Sequence, residues 1–188
     1  IFADFMDSAA ISNNLKVEVS NKQILSIALP ITLAILIPQI NMLTNSIFLG
    51  DLSTEALGNA GITGVFYLIF AVAGNGLNNS MQAVLSRHAG SNNHQALKII
   101  LSQGIRISLQ FAVAGILITW FIAPLILEPI ADARTYTLQI NFLKIRIFGL
   151  PFLFLFQMFN AFLVATLNSR YLMIAFAFEA SINIIFDF

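Results

Sequence analysis

The chain has 188 residues, 58% of them hydrophobic and only 10% charged, with no cysteine and a formal net charge of zero. Soluble domains carry about 25% charged residues, so this composition, with its mean hydropathy of +0.85, points to a membrane protein. A neutral chain offers no basic surface for nucleic acid, and a chain without cysteine has neither a disulfide framework nor a thiolate metal site.

The charges are segregated. Four long stretches carry none: Gln23–Gly50, Ala56–Ser86, Ile107–Leu127 and Ile147–Ser169. A spanning helix needs roughly 20 apolar residues, and no alternating strand pattern favours a barrel. The expected fold is therefore an all-α polytopic membrane protein with about five transmembrane helices. They are placed at about residues 24–49, 56–86, 99–123, 136–167 and 171–188, after a cytoplasmic tail over 1–19. The tail carries Asp4 and Asp7 where a secretory signal needs positive charge, so it is not a signal peptide.

The first span follows Ser20 and Gln23, which fit a capping box. Pro30 and Pro38 interrupt its hydrogen-bond ladder and make it a candidate hinge. Its second half turns polar, with Gln39, Asn41 and Asn45. Such amides either bond neighbouring helices, at about 0.6 kcal/mol each on average, or line a cavity; both readings stay open. Ser53 or Thr54 can cap the second span, with Glu55 in its first turn. That span is rich in small residues, Gly58, Gly61, Gly64, Gly74 and Gly76, a composition that lets membrane helices approach closely. Asn75, Asn78 and Gln82 form a polar stripe near its end, either cavity-lining or helix-bonding.

Ser91-Asn92-Asn93 can cap the third span, where Arg106 is placed to snorkel and Trp120 to sit in an aromatic belt. His88 and His94 are six residues apart in a polar loop, a spacing that does not put them on one helix face, so no metal site is expected. Lys144 and Arg146 are interface anchors or, if the fourth helix begins as early as Tyr136, cavity-facing cations. In the last helix Glu179, Asn183 and Asp187 are spaced i, i+4, i+8 and share a face. A carboxylate in the bilayer core costs roughly 2.5–3.5 kcal/mol on insertion scales, so this face is read as the lining of a polar cavity, with Asp187 alternatively marking the helix end at the water interface. Basic residues are biased toward the side that holds Lys16, Lys22, Arg87, Lys98, Arg106 and Arg170, so the N-terminus is expected in the cytoplasm of a multi-pass protein of the cell (inner) membrane.

Several local patterns resemble the multidrug and toxic compound extrusion (MATE) family of antiporters. They are Ala28-Leu29-Pro30, Asn45-Ser46-Ile47-Phe48-Leu49-Gly50, Thr54-Glu55-Ala56-Leu57-Gly58, Gln82 through Gly90, Phe148-Gly149-Leu150-Pro151-Phe152 and Asn183-Ile184-Ile185-Phe186-Asp187. The resemblance implies most of one six-helix lobe, with the sixth helix and a C-terminal lobe of the same chain missing. It implies export of a small organic, often cationic, compound across the lipid bilayer in exchange for Na⁺ or H⁺, with no other cofactor. It carries the coupling-ion site onto Asn183 and Asp187, while Asn45 stands where the family commonly has Asp. Glu179, one turn from Asn183, is placed by helix geometry to supply the missing carboxylate. A lipid-linked oligosaccharide flippase of the wider superfamily is the alternative, with Arg106, Lys144 and Arg146 as its candidate cations. A non-transporting membrane assembly module is a third reading. An enzyme is not expected: the sequence contains no HExxH, no Gly-x-Ser-x-Gly and no cysteine nucleophile.

Overall fold

The computed structural model describes residues 20–129, 131 and 134–187. The tail read over 1–19, with Asp4, Asp7 and Lys16, lies outside the described residues, as does Asp132. Five membrane-type helices follow one another: α1 (Asn21–Leu52), α2 (Thr54–Gly90), α3 (His94–Leu127), a broken fourth helix made of α4 (Tyr136–Arg146) and α5 (Leu150–Ala165), and α6 (Ser169–Asp187). The chain is an all-α polytopic membrane protein. Among the described residues, α1, α2, α3 and the α4–α5 pair are long and apolar enough to cross a bilayer. The 19 residues of α6 span about 28 Å, close to the roughly 30 Å of a hydrocarbon core.

Caps set the helix starts. The Ser53 Oγ accepts the Ala56 N–H at 2.9 Å, and the Asn93 Oδ1 accepts the Ala96 N–H at 3.0 Å, each satisfying one of the donors left free in a first turn. Asn92 enters the left-handed region at φ 54°, which turns the chain sharply between α2 and α3. Leu167, at φ 61°, does the same between α5 and α6.

The fourth span is divided by a 3₁₀ turn over Ile147–Gly149. Pro151 has no N–H, so the Ile147 carbonyl lacks its ordinary partner four residues on. The Leu150 N–H bonds it instead, three residues on, which tightens the turn. By contrast α1 runs as one helix through both Pro30 and Pro38.

The core lies between α2, α3 and the fourth span. At one end Leu85 and Ala89 pack with Leu97, Leu101, Met158 and Phe162. At the other, Phe66 packs with Ala123, Leu127, Ile140 and Leu143. Within the most apolar stretch of each span, burial rises from 7% in α1 to 44% in α4–α5, so the fourth span is the central one. Helix α1 instead packs chiefly along α6, and α6 is tied back to α5 by Leu172 on Leu163 and by Phe176 edge-on to Phe156 at 5.0 Å.

Two glycines let the core close. A Cβ on Gly115 would lie 2.5 Å from Leu150 Cδ1 and 3.1 Å from the Phe70 ring, and one on Gly104 would collide with Met81 Cε. Gly58, Gly61, Gly64 and Gly76 behave differently from the sequence expectation of close helix approach. A Cβ on any of them meets nothing within 4 Å. Replacing Gly115 by Val should therefore destabilise the protein by about 1–3 kcal/mol, read as an earlier unfolding transition in detergent, whereas Gly76→Ala should not lower the transition.

Candidate functional site

A cavity of about 940 Å³ opens between α1, α2 and α4. Each helix turns one face to it. From α1 come Met42, Asn45, Ser46 and Leu49, spaced i, i+3, i+4, i+7. From α2 come Asn59, Thr63 and Tyr67 at i, i+4, i+8, with Gly61 and Gly64 beside them. From α4 come Gln139, Phe142 and Arg146 at i, i+3, i+7. These spacings are those of helix faces, and the glycines contribute open volume where a side chain would stand.

The polar groups of the lining are oriented by their own helices. The Ser46 hydroxyl donates to the Met42 carbonyl at 2.8 Å, and the Thr63 hydroxyl to the Asn59 carbonyl at 2.8 Å. Their oxygen lone pairs are left to accept. The Gln139 amide donates both to Asn59 Oδ1, at 2.8 Å, and to Thr135 Oγ1, at 3.3 Å. Gln139 is 2% exposed, and with its donors spent on these two partners its Oε1 is buried without a hydrogen bond. Asn45 Oδ1 is likewise buried and unpartnered. A buried acceptor left unbonded costs about 1–3 kcal/mol, and neither oxygen presents surface to the cavity.

Arg146 resolves the two readings open for it. Because α4 begins at Tyr136, the guanidinium lies along the cavity wall, 4.8 Å over the Tyr67 ring and 5.9 Å from that of Phe142. Lys144 points elsewhere, 5.5 Å over Trp120, whose ring meets Phe148 edge-on at 6.3 Å.

Of the candidate residues whose side chains are described, Asn45 and Arg146 line this cavity. Gln39 and Glu179 are exposed, and Pro30 is buried. The side chains of Pro38, Asn41, Asn183 and Asp187 lie outside the described residues. Asn75 and Gln82 sit further along α2, away from the cavity. Asn75 Oδ1 accepts the Gln157 amide at 2.9 Å, a bond between α2 and α5. Asn78 Oδ1 is buried without a partner. Asn59, Thr63, Tyr67 and Gln139 were not apparent as site residues. The signal for three of them is the i, i+4, i+8 stripe along α2.

The long apolar helices and the polar cavity between them define a multi-pass membrane protein. Residues 30–188 match the MatE family model. The chain belongs to this family, whose members are membrane transporters of the MATE and flippase superfamily rather than enzymes. No curated protein and no solved structure matches it.

The Asn75–Gln157 bond has a measurable weight. In reversible unfolding from mixed micelles, a double-mutant cycle of Asn75→Ala and Gln157→Ala should return a coupling of about 0.6 kcal/mol, the average for such pairs in membranes.

Proposed function

We propose that this chain exports organic compounds across the membrane in exchange for Na⁺ or H⁺. The observation that carries the reading is the cavity between α1, α2 and α4, with its two unpartnered amide oxygens, in a chain of the MatE family. Asp187, Asn183 and Glu179 on α6 bind the coupling cation, next to α1, whose Asn45 faces the cavity. A carboxylate suits either ion: it takes up a proton, or, with an amide oxygen, it gives Na⁺ the hard oxygen ligands it prefers.

The packing supports a mechanism of alternating access. Helix α1 is little buried among the helices and packs chiefly on α6. The two helices therefore move as a pair at low cost in core contacts. Occupancy of the α6 carboxylates shifts that pair, and with it the α1 wall of the cavity, while Pro30 and Pro38 loosen the α1 ladder. We take the N-terminus as cytoplasmic; the cavity, at the end of α1 and the starts of α2 and α4, then faces the outer side.

Flippase action on a lipid-linked oligosaccharide is the second reading. Arg146 in the cavity wall favours it. The location of Lys144 over Trp120 and of Arg106 on an exposed face of α3 counts against a cationic cluster able to hold a diphosphate.

One charge moved through 100 mV supplies about 2.3 kcal/mol, which sustains roughly a 50-fold concentration ratio. Asp187→Asn should abolish this coupled accumulation in membrane vesicles energised by a Na⁺ or proton gradient, with the protein still inserted. Undiminished accumulation in that variant would remove Asp187 from the coupling site.

A further inference from the structure

The lining of the α1–α2–α4 cavity carries a charge pattern that the sequence did not disclose. Among the described residues that line it there is one cation, Arg146, and no Asp or Glu. Arg146 has no ion-pair partner among the described residues; its guanidinium is held by the faces of Tyr67 and Phe142. A guanidinium stacked on rings keeps its in-plane N–H groups free for a planar anion. On the same helix face, seven residues earlier, Gln139 also lines the cavity, its amide donors spent on Asn59 and Thr135. Seven residues of α-helix separate the two positions by about 10 Å along the axis. Asn45 lines the opposite wall of the cavity from α1.

We propose that this cavity binds amphipathic aromatic anions. The ligand's carboxylate or sulfonate sits on Arg146, and its ring system lies against Tyr67 and the apolar wall. The volume of about 940 Å³ is at the upper end of the range for drug-sized ligands, roughly 300–1,000 Å³. The proposal rests on the transport reading for its purpose and departs from it in one respect. The resemblance to MATE proteins implies cationic cargo, whereas an organic cation here would meet a guanidinium and no carboxylate among the described lining residues. Lipid diphosphates share the anionic chemistry, but a single guanidinium suits one planar anionic group better than two linked phosphates.

The test uses two dyes built on one ring system, fluorescein as the anion and rhodamine 123 as the cation. Each is titrated against the full chain in lipid nanodiscs with no ion gradient, and binding is read by fluorescence polarisation. Fluorescein should bind, and rhodamine 123 should bind at least about tenfold more weakly. Arg146→Gln should weaken fluorescein by about tenfold, the loss of one charge-assisted hydrogen-bonding group, and Arg146→Lys should restore part of it. Gly64→Phe serves as an independent variant. Its side chain projects into open space, as a Cβ at Gly64 meets nothing within 4 Å, so it should displace fluorescein while leaving the helical circular dichroism unchanged. Equal or stronger binding of rhodamine 123, or fluorescein binding indifferent to both Arg146→Gln and Gly64→Phe, would overturn the proposal. So would displacement of fluorescein by farnesyl diphosphate at lower concentration than by fluorescein itself, which would assign the site to lipid diphosphates. Because no gradient is applied, this result stands apart from coupled accumulation: either can fail while the other holds.

Discussion

Two hydrogen bonds between side-chain amides hold the second and fourth spans together, and the rest of the structure is arranged around them. Gln139 bonds Asn59 at one end, and Gln157 bonds Asn75 at the other. The bonded positions advance in the same direction along both spans, so the two run parallel, as alternating passes through a membrane require. The interval is 16 residues on α2 and 18 on the fourth span, about 24 Å and 27 Å of helix. In hydrocarbon each amide would otherwise have to leave donors unsatisfied. The bonds therefore fix register where apolar packing alone would permit sliding.

That pairing divides the molecule into a packed side and an open side. Along α5, large side chains meet α2 and α3, and Gly74, Gly104 and Gly115 let them do so. Along α4, the same α2 turns an amide, a threonine and a tyrosine toward α1, which stands off with α6. The change comes at the 3₁₀ turn before Pro151, where a missing N–H lets the central span leave one line and begin another. The turn thus marks where the fourth span passes from a half that packs on α3 and also faces the cavity to a half packed between α2 and α3.

Much of this was legible from local sequence, because what decides a membrane helix is local. Four uncharged runs of sufficient length marked the first four spans in order, and among the residues able to cap, Ser53 and Asn93 do so. Asn45 drew notice as an amide in an apolar helix, and it faces the cavity. What stayed hidden depends on partners far away in the chain. Gln139 acquires its meaning from Asn59, 80 residues earlier, and no spacing within either helix contains that pairing. Arg146 was open between interface and cavity until the start of α4 at Tyr136 decided its depth. The glycines of α2 show the same limit: a glycine permits contact and equally permits space, and only the neighbouring element decides which. Gly74 meets the Phe154 ring, while Gly61 and Gly64 meet nothing.

Those last two glycines have a consequence for how such a protein can change over generations. A glycine codon is one base away from codons for alanine, valine, arginine, and aspartate or glutamate. At Gly61 and Gly64 each of these side chains would project into the vacant volume and not into a packed neighbour. The width of the chamber is thus exposed to single-base variation with no clash in packing, while a charged replacement would also carry the cost of a charge in the bilayer. Its shape can drift between lineages while the frame that holds the helices stays the same.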